Sequence, residues 1–140
     1  MSKFFKRFLG VSALAGVGVL AYNVSLRIRT MKLQYENCIV GKNETIDFEG
    51  EEFKGAAYGI AFSDVVIDLR SAELKEDATL EIFGEFSHIE LLIPRDWEVI
   101  EEGERYRSNF ENQLDYYEVD TTKPTLYIQY HLRYSSLEIE

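Results

Sequence analysis

An aromatic residue recurs at an interval of 24 positions from residue 62 to residue 134 of this 140-residue chain. The four positions are Phe62, Phe86, Phe110 and Tyr134, and three of them are followed directly by serine. An aliphatic residue stands three positions after each of those three aromatics. A fixed interval of this size is typical of proteins built from stacked structural repeats. The sequence therefore predicts about four equivalent repeats of 24 residues.

The apolar residues of each repeat follow a strand pattern that changes phase after the aromatic. Leu80 and Ile82 stand six and four positions before Phe86, whereas Ile89 and Leu91 stand three and five positions after it. Alternation with period two indicates strands with one buried face. Because a one-residue slip turns every side chain to the opposite face, we expect a bend or bulge at the serine that follows the aromatic.

Bends that recur once per repeat predict the corners of a coil and, with them, the fold class. We expect an all-β, solenoid-like stack of short strands (a single-stranded β-helix or β-roll), with equivalent residues in columns. The third repeat is irregular, because Glu104, Gln113 and Asp115 occupy positions that are apolar in other repeats. Either the register slips in this repeat or the coil carries a loop. After residue 54 no run shows the 3.6-residue pattern of a helix, so we expect almost no helix there.

The N-terminal segment has a different character, since Phe8–Leu26 is a run of 19 residues without a charge. As a helix it would be about 28 Å long, close to the ~30 Å hydrocarbon thickness of a bilayer. Basic residues that can reach lipid headgroups flank it on both sides, namely Lys3, Lys6, Arg7, Arg27, Arg29 and Lys32. A cleaved signal peptide is an alternative, but no small-x-small cleavage site follows the run. A buried core helix is another, but the run lacks a polar face.

These features divide the chain into a membrane-anchor helix, residues 1–35, and an acidic β-solenoid-like domain, residues 36–140. Residues 33–140 hold nine basic and 25 acidic residues, so their net charge is 9 − 25 = −16. Such a domain would repel nucleic acid, which excludes that class of partner. The expected location is the cell membrane, with a single pass. The nearly equal positive flanks only slightly favour an inside N-terminus and an outside domain.

Two stretches resemble a known family. Residues 62–74 resemble the aromatic-Gly-x-aliphatic-x-Ile-Asp-Leu segment of the LiaF-like C-terminal domain, found in cell-wall-active antibiotic response proteins of Gram-positive bacteria. Residues 86–99 resemble the same family's Phe-Gly-x-Val-x-Ile-x-Val-Pro-x-Asp-Trp-x-Val segment. The most specific matches are Asp68, Leu69, Pro94 and Trp97. The resemblance implies a membrane-tied, solenoid-like domain that acts in envelope-stress sensing through protein contacts and without catalysis. The chain departs from the family pattern in having serine where the family has glycine, and one helix where signalling members have several.

No catalytic constellation, cofactor site or metal site is expected. His88 and His131 fall in different columns of the 24-residue frame, so we interpret them as solvated surface residues. Glu90 and Glu138 share an outward column, but sequential stacking would place them two coils apart, too far for a glycosidase carboxylate pair. The single cysteine, Cys38, is interpreted as a small apolar residue in a packed position.

Tyrosines in the last quarter of the chain, namely Tyr116, Tyr117 and Tyr127, suggest a contact surface. Strand propensity is the alternative explanation for them. The final strand, which carries no cap, would leave backbone groups free for self-association. We therefore expect a membrane-anchored, non-enzymatic interaction or regulatory protein of the bacterial cell envelope, with the bilayer and another membrane or envelope protein as partners. The alternatives are a self-assembling solenoid scaffold and an enzyme acting on envelope carbohydrate.

Overall fold

The computed structural model describes the backbone of residues 17–114 and 122–140, and within them the side chains from residue 22 onward. One α-helix precedes a series of β-strands, as the sequence predicts. The elements are α1 (Val17–Gln34), β1 (Asn37–Val40), β2 (Asn43–Asp47), β3 (Ala56–Ala61), β4 (Asp64–Asp68), β5 (Ala78–Glu85), β6 (His88–Leu92), β7 (Glu98–Tyr106), β8 (Asn109–Asn112), β9 (Thr125–Arg133) and β10 (Ser136–Ile139).

The strands form two parallel sheets, with odd-numbered strands in the first sheet and even-numbered strands in the second. Each consecutive pair, such as β5 and β6, is one coil that contributes a strand to each sheet. Leu80 and Ile82 of β5 and Ile89 and Leu91 of β6 are all fully buried in the core between the sheets. The predicted all-β class and the change of phase at the corner are thus both present. The described residues contain five such coils rather than four.

The coils do not stack in sequence order. The first sheet runs β1-β3-β5-β9-β7 and the second β2-β4-β6-β10-β8, so the β9–β10 coil lies between the third and fourth coils. The expectation of sequential columns is wrong at this end of the stack. It is also wrong that the final strand is left free, because β10 pairs with β6 on one side and β8 on the other.

The composition of the strands explains this order. Strand β9 buries Leu126, Ile128 and Leu132, whereas β7 buries only Val99 and carries four glutamates. A central position suits an apolar strand, while a charged strand is better placed at an edge, where its side chains stay in water and discourage further pairing. The β9–β10 coil therefore takes the central place.

Each coil turns the corner at a residue in the left-handed region. The φ angles are 50° at Phe62, 49° at Phe86 and 49° at Tyr134, with Gly41 (67°) and Arg107 (47°) at the other two corners. The bend thus falls on the aromatic itself, one residue before the predicted serine. The rings of the three aromatic corners stack face to face, with centroids 5.3 Å and 4.7 Å apart. This contact offsets the cost of about 1–2 kcal/mol that an L-residue meets in this conformation.

Phe110 does not belong to this series of corners. Arg107 takes the corner of its coil, and Phe110 pairs with Leu137, three residues after the Tyr134 corner. The register of this coil is therefore displaced by three residues relative to the 24-residue interval, which accounts for the irregular third repeat. Of the two explanations left open by the sequence, a register slip is present.

A ladder of serine hydroxyls satisfies the backbone at the buried corner. The N–H of Ser63 donates to Ser87 Oγ (3.2 Å), that of Ser87 to Ser135 Oγ (3.0 Å), and that of Ser135 to Ser108 Oγ (3.1 Å). Lys42 N–H donates to Ser63 Oγ in the same way (3.1 Å). Each serine hydroxyl donates in turn to the carbonyl two residues before it. Ser63 and Ser87 are 3% exposed, so water cannot replace these bonds.

The predicted membrane-spanning run is only partly described. Its first part, residues 8–16, lies outside the described residues, and its second part is the beginning of α1. Within the described ranges, no helix combines the length and apolar character that crossing a bilayer requires. After residue 34 the described residues form no further helix.

We predict that Ser87→Ala lowers the free energy of unfolding by about 1–3 kcal/mol, because it leaves the buried N–H of Ser63 without its acceptor. Urea unfolding of the full chain in detergent measures the effect. Ser71→Ala is the matched control, since Ser71 is exposed in the turn after β4. Equal unfolding midpoints for the two variants would show that the ladder does not stabilise the corner.

Candidate functional site

The C-terminal half of α1 packs on the outer face of the first sheet. Met31 and Tyr35, the latter directly after the helix, are 1% and 9% exposed and form a buried cluster with Ala61 of β3. Met31 sits directly over Gly59 of β3, where an added Cβ would lie 2.5 Å from Met31 Cγ. Only glycine permits this close approach. Residues that the sequence assigned to a membrane anchor are thus packed against the β-domain.

A buried ion pair fixes the helix to the sheet. Both Nε and Nη2 of Arg27 donate to Glu85 Oε1, at 3.0 Å and 2.8 Å. Glu85 is the last residue of β5 and is fully buried, whereas the Arg27 side chain is 27% exposed. Arg27 was expected to reach lipid headgroups, and this expectation is wrong. A buried carboxylate needs a cation, and the helix supplies one.

The second carboxylate oxygen of Glu85 is incompletely satisfied. Arg133, the residue beside Glu85 in the sheet, places its Nε 3.9 Å from Glu85 Oε2, and neither atom has a hydrogen-bond partner among the described residues. The Arg133 guanidinium lies instead over the ring of Tyr106, 4.8 Å from its centroid. Arg133 is thus close enough to contribute charge to Glu85 but is oriented by the aromatic ring.

A groove of about 590 Å³ opens beside this pair, between α1 and the outward faces of β5, β9 and β7. Tyr35 O–H donates to Glu81 Oε1 across its floor (2.8 Å). Burial, followed by this bond and the charge of Glu81, raises the pKa of Tyr35 above its usual value. The charged and ring side chains that line the groove are Arg27, Tyr35, Glu81, Phe83, Glu104, Arg105, Tyr106, His131 and Arg133.

The lining of the groove is mainly charged and aromatic. It combines three arginines with two glutamates, a histidine and aromatic rings, so it can make ionic, hydrogen-bonding and stacking contacts. We therefore take the groove, bounded by the docked helix, as the candidate functional site.

A second cluster lies on the outer face of the second sheet. Because β10 pairs directly with β6, Glu138 is the immediate neighbour of Glu90. The expectation that two coils separate them is wrong. One ligand atom from each of His88, Glu90 and Glu138 lies within 4.8 Å of the others. Together they offer one imidazole nitrogen and two carboxylate oxygens, a donor set that can hold a metal ion.

Glu90 and Glu138 are therefore close enough for a carboxylate pair of the glycosidase type, contrary to the expectation from sequential stacking. The surroundings remain unlike a sugar-cleaving site. Glu90 is 37% exposed and borders an open groove of about 410 Å³ along the strands, so the residues that the structure describes there do not enclose a sugar ring.

The residues that carry the family resemblance occupy turns and the core. Arg70 donates from Nε and Nη2 to the Asp68 carboxylate, at 3.0 Å and 2.8 Å, and these bonds lower the pKa of Asp68. Leu69 is fully buried, the Pro94 carbonyl accepts a hydrogen bond from the N–H of Trp97 (3.3 Å), and Trp97 packs against the core. None of the four lines the groove or joins the carboxylate cluster.

Of the predicted contact tyrosines, only Tyr127 can be placed, since Tyr116 and Tyr117 lie outside the described residues. Tyr127 projects from the outer face of the first sheet, is 38% exposed, and pairs with Ile100, which is 46% exposed. Together they form a small exposed apolar patch on the outer face that also carries the groove.

Comparison with known proteins gave no match: neither a protein family, nor a curated protein, nor a solved structure is significantly similar to the chain.

We predict that Arg27→Met destabilises the protein by about 3 kcal/mol, because it leaves a buried carboxylate without its principal cation. Urea unfolding measures the loss, and amide hydrogen exchange of residues 24–35 should accelerate as the helix detaches. Arg29→Met is the control, since Arg29 is exposed on the same helix. If both variants unfold at the same urea concentration, the ion pair does not hold the helix.

We also predict a pH dependence that Tyr35→Phe removes. The folded pKa of Tyr35 is raised above the ordinary value of 10.0, so its contribution to stability is fully present below pH 10 and decreases as the pH rises further. The wild-type protein should therefore lose stability more steeply than Tyr35→Phe above about pH 10. Urea unfolding on both sides of that pH tests this, with the exposed Tyr22→Phe as control. Parallel pH profiles for wild type and Tyr35→Phe would contradict it.

Proposed function

We propose that the chain is a membrane-anchored, non-enzymatic interaction protein of the bacterial cell envelope, of the LiaF-like kind. The N-terminal apolar run would insert in the cell membrane with the N-terminus inside, and the β-domain would bind another membrane or envelope protein. Envelope-stress response is the process that the family resemblance suggests.

The observation that carries the proposal is the buried contact between α1 and the first sheet. Arg27 and Met31 are held by the domain, while the apolar run ends at Leu26. One helix therefore belongs both to the run and to the domain, with no flexible linker between them. A domain attached in this way would keep a fixed distance and orientation relative to the lipid surface, which suits binding to a neighbour in the same membrane.

The groove and the patch of Tyr127 and Ile100 support the choice of a protein partner. Both lie on the outward face of the first sheet, and the groove is bounded by the helix that would lead to the membrane. An aromatic side chain beside arginines is typical of interface hot spots.

Self-assembly as an end-to-end scaffold is less well supported. The edge strands at one end are β7 and β8, which carry five glutamates between them. At the other end β2 carries Glu44 and Asp47, whereas β1 carries no charge. Head-to-tail stacking would therefore bring two acidic edges, β8 and β2, together in the second sheet, and like charges opposite each other weaken strand pairing.

We predict that the full chain stays in the membrane fraction after an alkaline carbonate wash, and that Val11→Lys combined with Ala15→Lys releases it. Each lysine at the centre of a spanning helix costs about 2.5–3.5 kcal/mol. Val11→Leu with Ala15→Leu is the matched control. Intact mass of the membrane-bound protein tests whether the run is retained. A wild-type chain found only in the soluble fraction would exclude the anchor.

The partner is tested with a photo-crosslinking amino acid at position 127, compared with position 71 in an exposed turn. We expect adducts to a second membrane or envelope protein from position 127 alone. Adducts only to another copy of the chain would favour the scaffold, and equal labelling from both positions would exclude this surface as the contact.

A further inference from the structure

The insertion of the β9–β10 coil creates a ligand set on the outer face of the second sheet. Strands β6 and β10 are paired so that His88 lies beside Ser136 and Glu90 beside Glu138. We infer that His88, Glu90 and Glu138 form a binding site for a divalent transition metal of the zinc type. One imidazole nitrogen and two carboxylates from adjacent strands would provide three protein ligands.

The distances fit such an ion. His88 Nε2 lies 3.4 Å from Glu90 Oε1, long for a hydrogen bond to a carboxylate. Two ligand atoms bonded to a tetrahedral zinc at about 2.0–2.1 Å lie about 3.3–3.4 Å apart. All three ligand atoms are within 4.8 Å of one another. Rotation about the side-chain bonds of Glu138, which is half-buried and not packed in the core, can bring its oxygen in by the remaining distance of at most about 1.4 Å, the difference between 4.8 Å and 3.4 Å.

The histidine is held in an orientation that suits coordination. His88 Nδ1 lies within hydrogen-bond distance of Ser136 Oγ on the neighbouring strand. If Nδ1–H donates to this hydroxyl, the lone pair of Nε2 points toward the Glu90 carboxylate, an unfavourable approach unless a cation lies between them. Histidine ligands of metals commonly have their second nitrogen fixed in this way. Ser136 would therefore act as a positioning residue.

The electrostatics of the sheet face supply a separate argument. Glu138 lies between Glu90 of β6 and Glu111 of β8, so three carboxylates stand in one row across adjacent strands. Strands β6, β10 and β8 contain no lysine or arginine. Like charges directly opposite each other in a sheet are destabilising. A divalent cation bound by two of the three would remove this repulsion.

The donor set favours zinc over calcium or magnesium. Calcium and magnesium are bound in proteins by oxygen ligands, whereas imidazole with carboxylate is a common zinc combination. The shallow groove of about 410 Å³ beside His88 and Glu90 leaves the site open to water or to a ligand from a partner.

The test is calorimetric titration of the full, chelator-treated chain in detergent with zinc chloride, using protein without a histidine tag. We expect one zinc ion per chain and a loss of affinity of at least about tenfold in His88→Gln and in Glu138→Gln. Far-UV circular dichroism and urea unfolding verify that the variants are folded. His131→Gln is the matched control and should bind zinc like the wild type, because His131 lies in the other groove.

Four outcomes would overturn the proposal. The first is wild-type protein that shows no saturable binding at one ion per chain. The second is His88→Gln that binds zinc as tightly as the wild type. The third is His131→Gln that loses as much affinity as His88→Gln. Calcium chloride is titrated in parallel, and binding of calcium as tight as that of zinc and independent of His88 would also contradict a site of the zinc type.

Discussion

The structure depends on how each coil turns from one sheet to the other. The turn requires a residue in the left-handed region, a conformation that costs an L-residue energy, and it places backbone N–H groups where water cannot reach them. Stacked aromatic rings offset the first cost and the serine ladder removes the second. Both devices work only between neighbouring coils, so the corner of one coil is stabilised by the next. Because these contacts align the corners of neighbouring coils, they fix the register of both sheets at the corner.

Both candidate sites follow from the position of the β9–β10 coil. In the first sheet it places Arg133 beside Glu85 and brings His131 to the groove. In the second sheet it places Glu138 beside Glu90. In a sequential stack the third coil would pair with the fourth. Arg133 would then not lie beside Glu85, and Glu138 would not lie beside Glu90. The apolar character of β9 and the acidic character of β7 decide the order of the strands. Both sites therefore exist because β9, and not β7, suits the centre of the sheet.

The sequence predicted the strands, the two-phase coil and the shared core, because alternation and its change of phase are local properties of the chain. Residues such as Ile82 and Leu91 could be assigned to the core without coordinates. The order of the coils could not be predicted in the same way, since the 24-residue interval carries no information about which coils are neighbours. The sequence also misplaces Phe110. This residue keeps the 24-residue spacing of the aromatics, although the corner of its coil lies three residues earlier, at Arg107.

The sequence does not predict the groove, because the residues of α1 that border it are compatible with either a membrane or a protein environment. Arg27, Met31 and Tyr35 continue a helix that begins in an apolar run, and membrane and protein both accept such residues. Glu85 carries no local signal either, since outward positions of strands are often charged. The glycine at position 59 is the one hint, because an isolated glycine within a strand indicates close approach of another segment. The cluster of His88, Glu90 and Glu138 cannot be predicted from the sequence, because sequential stacking of the coils would separate Glu90 from Glu138.

The central place of the β9–β10 coil has a consequence for biosynthesis. The ribosome releases β7 and β8 before β9 and β10, yet in the folded domain the earlier pair is joined to the third coil only through the later pair. Until the later pair is in place, the apolar edge of β5 and β6 stays open, and the nascent domain is vulnerable to pairing with the wrong strand. Closure of this gap is a long-range event, which slows it relative to the formation of the first three coils. A ribosome that stalls after β8 would therefore leave an incomplete sheet rather than a smaller version of the same domain.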